Sequence, residues 1–190
     1  MGIPDPEFWK KASYSTLWKK HMDNCKALKE KIENTFPKLK GAVKEGHGAF
    51  TDEWLRFRPD EKSEADMIVN NPVTYKPICH IEVTGSHKIN PNERMPIWIR
   101  PDKIKHAQEK IEKYWFYCVY KSSIYVVDLE TASKYLKDKV KEVEIKQGIP
   151  ERYVEIPYKE AISEEDFLIW LKGEVDKIPN NNYTKQEYIK

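Results

Sequence analysis

The stretch Ala65-Asp66-Met67-Ile68-Val69, then Asn70-Asn71-Pro72-Val73, then Ile78-Cys79-His80-Ile81-Glu82-Val83-Thr84-Gly85-Ser86 decides how this chain is read. The outer parts are short and rich in Ile and Val, as strands are. The middle part is turn chemistry. An antiparallel hairpin is expected, with Asp66 and Glu82 near each other. In a strand, alternate side chains share a face. Ile78, His80, Glu82 and Thr84 therefore point one way, and Cys79, Ile81 and Val83 the other. The second set is apolar and should bury. The first places an acid, an imidazole and a hydroxyl on a buried strand, where an acid is costly unless a partner or a metal meets it.

The flanks extend the pattern. Residues 14–36 carry Leu17, His21, Cys25, Leu28, Ile32 and Phe36 at three- and four-residue spacing, which predicts an amphipathic helix ended by Pro37. Glu30 and Glu33 lie off this stripe. His21 lies on it, where a packed, hydrogen-bonded histidine is expected in preference to a ligand. Residues 38–49 read as a Gly-rich basic loop without a phosphate-loop motif. Residues 50–58 suit a first strand, with Glu53 a third acid or a solvated one. Residues 101–113 read as a second helix opened by Pro101 and Asp102, with Ile104, Ala107 and Ile111 inward and Lys103, His106 and Lys110 flanking.

Residues 114–120 and 123–129 form two apolar-aromatic strands around Lys121-Ser122. The first follows a helix, so it should run parallel to a neighbour through a right-handed crossover. The second should return as a hairpin. Residues 131–143 read as a lysine-rich helix and 152–156 as a short extended segment. Ser163 with Asp166 is a capping-box start for a helix carrying Phe167, Leu168, Trp170 and Leu171. Residues 1–8 read as a cloning-linker remnant, 9–176 as one domain and 177–190 as a flexible tail.

This constellation resembles the PD-(D/E)xK, or restriction-endonuclease-like, nuclease superfamily. The resemblance covers roughly residues 14–130 and matches Asp66 to the first acid and Glu82 to the second. It implies an α/β fold with an αβββαβ core: a mixed central sheet flanked by helices, with an extra strand and C-terminal helices added here. It further implies a nuclease that hydrolyses DNA phosphodiester bonds using Mg2+ or Mn2+ held by Asp66, Glu82 and the Val83 backbone oxygen. The motif lysine is replaced by Thr84, which can hydrogen-bond water but carries no charge. In some families of this superfamily the following helix supplies the lysine. Lys103 is the first candidate for that role and Lys88 the second. His80 is open as a metal ligand, a phosphate contact or a core residue. Lys88, Arg94, Trp98, Arg100 and Lys105 are the candidate DNA contacts, cations for phosphate and an aromatic for a base or the core.

Composition bounds these expectations. The chain has 190 residues, 34% of them charged, yet its net charge is only +2. DNA binding must then rest on a local patch and be salt-sensitive. Three well-separated cysteines without a CxxC argue against a disulfide framework or a cysteine zinc site. No signal peptide and no apolar run of membrane-spanning length are visible, so an intracellular, cytoplasmic protein without a membrane partner is expected. A homodimer is open, with 114–125 as either interface or core. Two other readings compete with the nuclease: a weak or inactive nuclease-fold DNA-binding protein, and an unrelated α/β protein whose acids pair with Arg56, Arg58 or Lys88.

Overall fold

A computed structural model describes residues 14–45, 65–86, 89–110, 112–137, 139–146 and 149–179. The 65–86 hairpin sits at the centre. Strand β2 (Met67–Asn70) pairs antiparallel with β3 (Pro77–Ser86), with Met67 opposite Ile81 and Val69 opposite Cys79. Its turn is held by the Asn71 side chain, which accepts from the Val73 and Thr74 N–H groups at 2.9 and 3.1 Å. Tyr75 completes the turn with a positive φ of 60°.

Strand β1 (Val43–Glu45) flanks β2 antiparallel. The sequence suggested a loop there and a first strand at 50–58. The strand beside β2 is instead Val43–Glu45, which buries Val43, and residues 50–58 lie outside the described residues. On the other side of β3, strand β5 (Lys113–Tyr120) runs parallel, with Glu82 level with Phe116. Strand β6 (Ile124–Asp128) returns antiparallel along β5, and the two-residue β9 (Ile162–Ser163) closes the edge. The six-stranded order is β1-β2-β3-β5-β6-β9. This mixed sheet within an α/β fold is the class expected.

Each face of the sheet carries its own core. On one side lie helix α1 (Tyr14–Thr35) and helix α4 (Glu164–Asp176). Cys25, Leu28 and Ile32 of α1 and Phe167, Leu171 and Val175 of α4 pack on Met67, Cys79, Ile81, Val83, Trp115 and Tyr117. This is the inward face predicted for β3. The Ser163–Asp166 capping box is present, with Asp166 N–H donating to Ser163 Oγ at 3.0 Å. On the other side lie helix α2 (Pro101–Ala107), helix α3 (Leu129–Leu136) and a second, three-stranded sheet. That sheet orders β4 (Ile97–Ile99), β8 (Ile149–Ile156) and β7 (Val140–Lys146). Ile97, Ile99, Ile104, Val154 and Ile156 pack there on Tyr114, Phe116 and Cys118.

Three expectations are corrected on this side. The second helix stops at Ala107, not 113. Gln108 to Lys110 leave it through tight i→i−3 bonds, Glu109 N–H to His106 O and Lys110 N–H to Ala107 O, so that the chain can enter β5 at Lys113. The helix expected over 131–143 ends at Leu136 and gives way to β7, whose ladder with β8 supplies the backbone bonds a longer helix would have made. Residues 85–100 are more than a connector, because Ile97–Ile99 is a strand of the second sheet. The aromatic stretch that was open as a dimer interface is core: Tyr114 to Cys118 are all buried between the two layers.

Candidate functional site

Strand β2 begins at Met67, and Asp66 sits one residue outside it. Its side chain takes over where the ladder stops. Asp66 Oδ2 accepts the Val83 N–H at 2.8 Å, a bond that a further strand residue would otherwise make. Within a strand the N–H and C=O of one residue project to the same edge. The Val83 carbonyl therefore faces the gap that Asp66 occupies. Asp66 Oδ1 meets His21 Nε2 of α1 at 3.3 Å, and the same nitrogen lies 3.6 Å from Cys25 Sγ.

Glu82 is buried on the opposite face of β3 from Val83, toward α2. Pro101 opens α2, and the buried Ile104 and Ala107 fix its roll against the sheet. Lys103, beside Ile104, then projects onto Glu82 and forms an ion pair with Glu82 Oε1. The Tyr114 hydroxyl of β5 donates to Glu82 Oε2 at 3.3 Å. One cluster thus joins α1, the start of β2, the middle of β3, α2 and β5.

Its electrostatics are uneven. Burial pushes the Glu82 carboxyl up to about 7, and the Asp66 charge adds to this, although Lys103 pulls the other way. Burial acts on Asp66 in the same sense, but the His21 hydrogen bond, the Lys103 charge and the Val83 N–H outweigh it and hold Asp66 below the usual carboxylate range. For Lys103, burial favours the neutral amine. The Glu82 and Asp66 charges overcome that and raise it above the ordinary lysine value, so it stays an ammonium. Two crowded acids and one cation are what the cluster contains.

Of the sequence candidates, Asp66, Glu82, Val83 and Lys103 come together. Thr84 follows on the Glu82 face of β3, half-buried. His80, also on that face, points elsewhere: its Nε2 lies 3.5 Å from Glu112, and its ring stacks on Tyr114 at 5.8 Å. Arg94, Arg100 and Lys105 are exposed. Arg100 makes a two-pronged contact with Asp102 at 2.8 and 3.0 Å. Trp98 is half-buried in the second sheet against Tyr153, with ring centres 5.7 Å apart. Glu53, Lys88, Arg56 and Arg58 lie outside the described residues. The partners found for the acids are His21 and Lys103.

His21 is the hydrogen-bonded histidine expected, but the sequence did not show that His21, Cys25 and Tyr114 meet the acids. The signal for the first two was their i, i+4 spacing on the buried stripe, which puts both on one helix face. Tyr114 carried none beyond its place in an apolar strand. No protein-family model matches the sequence, and no curated protein matches it. All described helices are too short or too polar to cross a membrane.

Proposed function

We propose that this chain is a metal-dependent nuclease that hydrolyses DNA phosphodiester bonds, and that Lys103 stands in for the lysine that Thr84 replaces. The observation that carries the reading is the Lys103–Glu82 pair beside Asp66. It puts two carboxylates and a lysine ammonium in one cluster, although the lysine comes from a different element.

The donor set suits Mg2+ or Mn2+. Asp66, Glu82 and the Val83 carbonyl are oxygen ligands of the kind hard cations take. The raised Glu82 carboxyl fits as well, because a divalent cation would relieve the crowding of the two acids. When bound, such an ion lowers the pKa of its water and stabilises charge on the phosphate. The protein's own groups do the rest. Lys103, held as an ammonium, neutralises charge building on the phosphoryl oxygens; in that state it is no proton acceptor. Tyr114 and His21 orient Glu82 and Asp66 by hydrogen bonds. Thr84 is within the same strand face to hold a water. Exposed Arg94, Arg100 and Lys105 offer phosphate contacts, which in a chain of net charge +2 give salt-sensitive binding.

The test is cleavage of supercoiled and of labelled linear and branched DNA with Mg2+ or Mn2+, wild type against Glu82→Ala. Metal-dependent cutting that vanishes in the variant supports the reading. Cutting that survives, or none by wild type, refutes it.

A second reading has a specific observation behind it. Both acids already have side-chain partners within the chain, His21 for Asp66 and Lys103 for Glu82, as a structural polar network would. It predicts no stabilisation by Mg2+ or Mn2+ in a thermal melt. An inactive DNA-binding relative would show stabilisation without cutting.

A further inference from the structure

His21 and Cys25 are one helical turn apart on the buried stripe of α1, and Asp66 approaches from the start of β2. His21 Nε2 is 3.3 Å from Asp66 Oδ1 and 3.6 Å from Cys25 Sγ. Both atoms close on the one imidazole nitrogen. All three donor atoms lie within 4.8 Å of one another. Tetrahedral zinc, with bonds of about 2.0–2.1 Å to nitrogen and oxygen and about 2.3 Å to sulfur, separates N and O ligands by about 3.4 Å and N and S ligands by about 3.6 Å. The two spacings to His21 Nε2 match these values, and the Asp66–Cys25 spacing falls within 4.8 Å.

We propose that His21, Cys25 and Asp66 form a site for a borderline-soft divalent cation of the Zn2+ class. The donors set the preference. Imidazole and thiolate select Zn2+ and Co2+, whereas Mg2+ keeps to oxygen. Cys25 is fully buried and Asp66 nearly so, while His21 keeps about a quarter of its side chain exposed. That opening provides the entry path and leaves the fourth tetrahedral position to water. Binding replaces the His21–Asp66 hydrogen bond with metal bonds, leaves the His21 ring proton on Nδ1 and releases the Cys25 thiol proton to solvent. Cys79 and Cys118, also free and buried, have no such neighbours among the described residues and serve as internal controls. The site does not rest on the nuclease reading, although the two share Asp66.

Co2+ alone is the probe, titrated into the full chain under reducing conditions. Wild type is expected to develop thiolate-to-cobalt charge-transfer absorption with a one-to-one endpoint, and Zn2+ to displace it. Cys25→Ser should abolish the absorption, while Cys79→Ser and Cys118→Ser retain it. His21→Ala, at a partly exposed position, should weaken Co2+ binding at least tenfold. It carries the test if Cys25→Ser does not fold. Absence of the band in wild type, its persistence in Cys25→Ser, or unchanged affinity in His21→Ala each overturns the proposal. None of these readouts depends on DNA cleavage, so the site can fail while the nuclease reading stands, and the reverse.

Discussion

The Lys103 ammonium of α2 pairs with the Glu82 carboxylate of β3 across a gap of 21 residues in sequence. Two short elements make the meeting possible. Pro101 starts α2 immediately after β4, and Ile104 seats it on the sheet, so the third helical residue faces β3. The pair brings a cation to two acids that burial alone would leave in conflict.

That conflict sets a pH dependence. The Glu82 carboxyl is pushed up to about 7 in the folded chain from an ordinary 4.5, so between those values the native state holds a proton the unfolded chain has lost. Stability from this group is therefore fully present at low pH and falls as pH rises through the window. Asp66, shifted down, contributes in the opposite sense, and its contribution is lost only in acid near its ordinary 3.8 and below. In chelator, the stability difference between wild type and Glu82→Gln should move in favour of the variant from pH 5 to pH 8, by roughly 3 kcal/mol at most. Urea melts across that range check it. A difference that does not change with pH contradicts the shift.

Gly85 closes the site strand. Its φ is +120°, and a Cβ there would lie 2.0 Å from the Val119 carbonyl oxygen of β5. The obstacle is backbone, which cannot rotate away. Gly85→Ala is expected to cost about 2–4 kcal/mol through clash and strained φ together. A chemical melt measures it, and a loss below about 1 kcal/mol would show that β3 and β5 can part locally.

The start of α4 is held by a reciprocal cap. Ser163 Oγ accepts the Asp166 N–H, and Asp166 accepts the Ser163 N–H at 3.3 Å. Ser163→Ala should destabilise the chain by about 1 kcal/mol, with no effect on metal binding. The melt is again the readout, and a neutral result would mean that Glu164, which accepts from the Tyr117 hydroxyl and from Lys31, anchors α4 unaided.

Where one period dominated, the sequence was readable. Cys79, Ile81 and Val83 alternate with His80, Glu82 and Thr84, and β3 follows that alternation. The α1 stripe from Cys25 to Ile32, and Phe36 just past the helix end, bury as the spacing says. Strand β7 was hidden because Val140-Lys141-Glu142-Val143-Glu144-Ile145-Lys146 is rich in Lys and Glu, which favour helices, and follows a real helix. Its strand state comes from pairing with β8, a tertiary effect. Ile111 extended the Ile104–Ala107 spacing by one more turn, so the end of α2 was misplaced. Within the candidate site, Asp66, Glu82 and Lys103 were legible as residue types at suitable places. The contact of Asp66 with His21 was not, since it depends on how α1 lies across the sheet.

The proposed nuclease chemistry depends most directly on Lys103 standing in for a lysine at position 84. DNA cleavage by Lys103→Ala, and by Lys103→Ala combined with Thr84→Lys, tests it in Mg2+ and in Mn2+. Loss of the positioned cation should lower the cleavage rate about 10²-fold or more, and the second substitution should restore part of it. Cleavage by Lys103→Ala at the wild-type rate would contradict the account.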